Sequence, residues 1–278
     1  MSLFLAVLGQ IAHTLKGVLP ITAVIGIVFA GLSAFTPCNR TGPWWRKPEL
    51  ITDVCYWFFI PVFGRFARIG LSVLLAVWLL GIHDANTLAS YFENGHGTLA
   101  RLPYWAQCAF YLVVSDFLHY WAHRAFHRGR FWKYHAVHHS SEHLEWISAA
   151  RFHPFNQLAD AVFIDVALLM AGVSPKIFLV LGPFNVFSSA LVHANLDWTF
   201  GWLKCVFASP VFHRWHHTTA KEGQNRNFAG TFSLFDLMFG TFYMPAGRLP
   251  AAYGLDDASY PMSFGPQLVR PFTEPARL

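Results

Sequence analysis

Eight histidines in three short boxes are the residues whose types and spacing can do chemistry. The first box is His123 and His127. The second, "HAVHH", carries His135, His138 and His139, and the third, "HRWHH", carries His213, His216 and His217. His193 lies alone between the second and third boxes. Residues three and four apart share one face of a helix, so each box can turn two rings toward one ion. In "HAVHH" the i and i+3 rings are expected to converge and the adjacent third to serve a second ion; "HRWHH" repeats the pattern. Imidazole suits zinc, copper, iron and nickel alike. Structural zinc often takes cysteine, but Cys38, Cys55, Cys108 and Cys205 are widely spaced, form no CxxC pair and flank no box. A bis-histidine haem uses two axial ligands and leaves most of the boxes unexplained. Headgroup binding calls for Lys and Arg, not for repeated histidine spacing. Eight or nine imidazoles are enough for two ions with open positions, and two irons can share the electrons that activate O2.

The elements that position these rings must form in lipid. The chain has 278 residues, 54% hydrophobic and only 13% charged, with a mean hydropathy of +0.36. Soluble domains are about a quarter charged, so the composition points to an all-α, multi-span integral membrane protein with a histidine-rich helical cap. Apolar runs at 17–36, 69–83, 102–115, 156–172 and 177–192 predict five spans. The short run "VCYWFFIPVFG" at 54–64 carries a proline and reads as interfacial or re-entrant. With five spans, 17 of the 20 Lys and Arg fall on one side, which the positive-inside rule makes cytoplasmic. Twelve of the 15 histidines fall on that same side, although the topology was drawn from Lys and Arg alone. The organisation expected is 1–104 as N-terminal spans, 105–246 as the histidine-box region with two further spans at about 156–192, and 247–278 as a tail.

The stretches "DFLHYWAHRAFH", "FWKYHAVHHSSE", "HANL", "SPVFHRWHH" and "FDLMFGTFYMP" resemble the fatty acid hydroxylase/sterol desaturase superfamily over roughly residues 105–246. The resemblance implies two iron ions near the cytosolic face, O2 as co-substrate, and hydroxylation or desaturation of a sterol or fatty acyl lipid. By position it implies His123, His127, His135, His138, His139, His213, His216 and His217 as ligands, with His193 as a ninth. His119, His143 and His153 are further candidates to bind metal or support a ligand. Asp116, Asp197 and Asp236 are candidate acceptors for the rings' other N–H; helix capping or ion pairing with Arg124 or Arg214 is their structural alternative.

No dinucleotide fingerprint or iron–sulfur cysteine set is present, so electrons are expected from a separate ferredoxin, cytochrome or reductase. The net charge of +5 suits membrane orientation and an acidic protein partner rather than nucleic acid. A membrane metal-binding or metal-transport protein is the rival reading; it predicts ionisable residues along a path through the spans.

Overall fold

The computed structural model describes residues 2–273, and every regular element among them is helical. The α-helices are α1 (Ser2–Phe35), α2 (Leu50–Trp78), α3 (Ala85–Asn94), α4 (Tyr104–Phe126), α5 (Trp132–His139), α6 (Pro154–Asp160), α7 (Val166–Ala171), α8 (Pro175–His193), α9 (Pro210–His216), α10 (Leu234–Met238) and α11 (Phe264–Thr273). A π-helical turn, Ala161–Asp165, fuses α6 to α7. The end of the expected tail, 274–278 with Arg277, lies outside the described residues.

Four segments are long and apolar enough to cross a membrane: Leu5–Phe35, Leu50–Trp78, Pro154–Ala171 and Pro175–His193. The third predicted span corresponds to α4, whose charged and histidine-bearing second half keeps it out of that set. The second differs more. "VCYWFFIPVFG" is no re-entrant piece but the first half of α2, which runs unbroken through Pro61. A proline removes one backbone donor, a loss that long membrane helices tolerate where neighbours re-satisfy the freed carbonyl. Arg65 and Arg68, which the sequence assigned to the segment before this span, consequently lie inside it.

Two layers of contact hold the helices. Tyr91, Tyr111, Leu168, Leu169, Val173 and Ile177 close one core where α3, α4, α7 and α8 meet. A second core gathers Phe29, Trp57, Ala190 and Leu196 around Trp146, which is fully buried. Rings of Trp44 and Trp57 meet Trp146 edge-on at 5.0 and 4.9 Å, a geometry worth about 1 kcal/mol per pair beyond area burial. This second core seats the short 3-10 turn Trp146–Ala150 against α2 and α8, directly beneath the second histidine box.

Candidate metal centre

The C-terminal ends of four helices bring the boxes together. His123 lies in the last turn of α4 and His127 is its C-cap; α5 carries the second box and ends on His139, α8 ends on His193, and α9 carries His213 and His216. Their rings sort into two groups. His123, His127, His135, His139 and His216 form one, and His138, His193, His213 and His217 the other, with the ligand atoms of each group within 4.8 Å of one another. The sorting corrects the expected pairing. His135 joins His139, not His138, and His213 joins His217, not His216. At about 100° per residue, i+4 returns to within about 40° of the starting direction and i+3 only to within about 60°. The i+4 pair therefore converges and the intervening histidine swings to the other group. The two groups touch: the His139 and His217 rings stack at 4.4 Å.

The rings' outer nitrogens fix their protonation. A carbonyl oxygen can only accept, so a ring nitrogen facing one carries the proton. His123 Nδ1 donates to Phe228 O at 2.7 Å, His138 Nδ1 to Arg151 O at 3.1 Å, His193 Nδ1 to Ser189 O at 2.7 Å and His216 Nδ1 to Arg226 O at 2.7 Å. His135 Nδ1 donates to the side-chain oxygen of Asn156 at 2.8 Å. The Nε2 atoms of these rings therefore point inward with bare lone pairs. Yet His123 Nε2 faces His135 Nε2 at 3.0 Å, and His138 Nε2 faces His193 Nε2 at 3.2 Å. Two lone pairs at that distance repel unless a cation lies between them. Two imidazoles on one first-row ion at about 2.1 Å and a right angle sit about 3.0 Å apart. Buried His127 Nε2, His139 Nε2 and His216 Nε2 have no hydrogen-bond partner among the described residues. The donor set fits two metal ions.

Burial reinforces this state. It is the largest cause pushing His135 and His216 down to about 3, and it holds His127, His138, His139, His213 and His217 well below the usual histidine range, with neighbouring rings adding to it. Neutral imidazole is the form that ligates.

The remaining candidates lie around the centre rather than in it. His119 is half-buried one turn before His123, ring centroids 5.3 Å apart, but belongs to neither group. His143 is partly exposed and its Nδ1 faces Glu49 at 3.6 Å. His153 caps α6, accepting from Phe155 N, and its Nε2 meets Leu268 O. Neither is in a ligand group. Asp197 is exposed. Asp116 and Asp236 hold backbone instead of imidazole. Asp236 accepts from Phe228 N and Ala229 N, and Asp116 from Gly230 N, Thr231 N and Phe232 N. Two carboxylates thus seize five consecutive amides, and that strap presents Phe228 O to His123. The sequence reading missed Asn156, since an isolated Asn carries no signal, and the four backbone carbonyls, which have none.

Arg151 and Arg214 anchor the centre from behind. Arg151, fully buried, pairs with Asp53, which Lys47 also meets, while its own carbonyl takes His138. Arg214 donates to Leu144 O, His193 O and Asn39 Oδ1, tying α9 to the end of α8. Space reaches the rings from two directions. A cavity of about 520 Å³ touches His127, His139 and His216. Another of about 240 Å³ enters between the helices and touches His123, His135, His138, His193 and His213.

Residues 108–241 match the fatty acid hydroxylase family model. The chain is 31% identical over 212 residues to ornithine lipid hydroxylase OlsE of Rhizobium tropici, covering 76% of this chain and 62% of that protein. It is 34% identical over 152 residues to alkylglycerol monooxygenase of Caenorhabditis elegans, covering 54% of this chain and 29% of that one. With the very-long-chain aldehyde decarbonylase GL1-11 of Oryza sativa it shares 30% over 153 residues, half of this chain and 55% of the other. The chain spans less than two thirds of each of these relatives. No solved structure matches it. The matched stretch 108–241 holds all nine histidines of the two groups, and over it the chain is similar to the fatty acid hydroxylase family.

Proposed function

We propose that the chain is a membrane-bound oxygenase that oxidises a lipid with O2 at two iron ions held by His123, His127, His135, His139 and His216 on one side and His138, His193, His213 and His217 on the other. The observation that carries the reading is the inward apposition of proton-free Nε2 atoms in two adjoining groups. Iron, when bound, supplies the O2 activation that the chain's own side chains lack. Everything else falls to the protein. The carbonyls of Phe228, Arg151, Ser189 and Arg226 and the Asn156 amide keep five of the nine rings turned inward with the outer nitrogen protonated. The buried walls exclude water from the reacting carbon. In hydroxylation one oxygen atom enters a C–H bond and the other leaves as water, consuming two electrons and two protons; in desaturation both leave as water.

By their names the relatives act on an ornithine lipid, an alkylglycerol and a very-long-chain aldehyde, so a lipid is the common denominator. The electrons come from a separate carrier such as a ferredoxin, cytochrome or reductase, drawn to the basic, cytoplasmic face on which the centre lies. Metal analysis of detergent-purified protein tests the reading, with His135→Ala and His213→Ala beside it, one from each group. About two irons per chain, with a loss in each variant, is the expected result; stoichiometric copper or a single zinc would refute it.

A further inference from the structure

The cavity that reaches the rings from between the helices has apolar walls such as Leu112, Phe152, Ile164 and Val192. Sites that take apolar groups place only a few polar groups among such walls, but this one adds Arg68, Asp160 and Asp165 on one side, with Tyr111, Asn185 and Ser189. Arg68 and both aspartates lie within helices able to cross a membrane, where an ionisable side chain is costly and marks a working site. Arg68 Nε meets Asp165 Oδ2 at 2.8 Å, and among the described residues no hydrogen bond engages its Nη1 or Nη2. A guanidinium with two free donors in a fixed fork matches a carboxylate. Asp160 Oδ2 accepts from Nδ2 of Asn156, the residue that orients His135, while its Oδ1 has no partner among the described residues.

The backbone is locally rebuilt to make this arrangement. In a regular α-helix, Asp160 and Asp165 would point about 140° apart. The π turn Ala161–Asp165 widens the helix between them, so that residues five apart share a face, and such turns recur at functional sites. Both aspartates accordingly line the one cavity. A neighbouring cavity of about 260 Å³ shares Arg68, Asp165 and Asn185 with it and is otherwise walled by groups such as Ile69, Phe178 and Leu179. Apolar and polar space therefore meet at the Arg68–Asp165 pair.

We propose that the part of the lipid presented to the histidine centre is a zwitterionic headgroup, its carboxylate held by Arg68 and its ammonium by Asp160 and Asp165, with the tail lying in the apolar cavity beyond. The two carboxylates against one guanidinium leave a negative charge that an ammonium completes. Asp160, two hydrogen bonds from His135, places the ammonium end nearer the metal site than the carboxylate end. The inference rests on the lipid-oxidase reading for its consequence, but not for its test.

Binding to the purified protein is measured with three amphiphiles sharing a dodecyl tail: N-dodecanoyl-ornithine, dodecanoic acid and dodecanol. The zwitterion should bind at least about tenfold more tightly than the alcohol. The paired variant Arg68→Leu with Asp165→Leu, which leaves neither charge buried alone, should abolish that preference without weakening alcohol binding. Arg68→Lys, which keeps the charge but not the fork, should lose most of the gain for both carboxylates. Equal affinities in the unmodified protein, or an unchanged preference in the paired variant, would overturn the proposal. When turnover is supplied with a one-electron donor, fragment masses locate the added oxygen. Oxygen in the headgroup supports the proposal. Oxygen in the tail overturns it while leaving the lipid-oxidase reading intact, and binding preference without any oxidation sinks that reading and not this one.

Discussion

Replacing Asn156 with leucine isolates what one ring-orienting contact contributes to one ion. Leu is similar in size, so the change removes the acceptor of His135 Nδ1 and the donor to Asp160 while leaving the packing nearly filled. The inward Nε2 lone pair of His135 exists because the proton is held outward at 2.8 Å from the Asn156 oxygen. Without that acceptor, the metal-free ring can place its proton inward, toward His123 Nε2 at 3.0 Å, and gains a hydrogen bond there. A metal ion must then break that bond and return the proton to a nitrogen with no acceptor. A net neutral hydrogen bond is worth about 1 kcal/mol, and orphaning the outer N–H adds a similar amount, for about 2 kcal/mol. That corresponds to roughly a thirtyfold loss of affinity, inside the range found for outer contacts of metal ligands. The loss should fall on the ion of the five-histidine group alone, because His135 does not belong to the other. Competition with a chelator of known affinity, followed by metal content per chain, gives the two constants separately. Equal weakening of both ions, or none, would refute the reasoning.

Neighbouring histidines of one box should report on different ions: His216→Ala should deplete the five-histidine group and His217→Ala the four-histidine group, distinguishable by the spectroscopic signature of the ion that remains. Metal-free protein should lose stability on acidification. His135 and His216 sit at about 3 when folded against about 6.5 unfolded, so the unfolded chain binds more protons in between. Stability is then fully present above about pH 6.5 and falls as pH drops toward 3, and a thermal midpoint that stays flat from about pH 7.5 to 5 would contradict this. Asp53→Leu should cost about 3–5 kcal/mol because it takes from buried Lys47 and Arg151 the nearer of the two carboxylates they share, leaving only the more distant Glu49. Arg151→Leu should cost less, since Asp53 keeps Lys47; folded yield and the thermal midpoint check the order.

The histidine boxes were legible because ligating residue types at helical spacing are rare in a chain so poor in charge, and the helical class followed from the apolar runs. The pairing within boxes was not. It depends on the difference between an i+3 and an i+4 direction, which only matters once α5 and α9 face each other. Pro61 led to a break in α2 that lipid-embedded packing overrides. Asp116 and Asp236 were recognised as supporting residues, but their targets are amides of residues 228–232, and no side-chain pattern announces a backbone partner.

Helix α9 has seven residues and every one of them is buried. An isolated helix of that length does not hold in water, where about 12–15 residues are marginal, and a segment with no outward face cannot ride on a partial surface either. It is held by α8, the 228–232 strap and the side chains of Phe242 and Met244 packed around it. Three of the nine rings, His213, His216 and His217, thus take their places only where that surrounding packing exists, and without it the smaller group is two rings short.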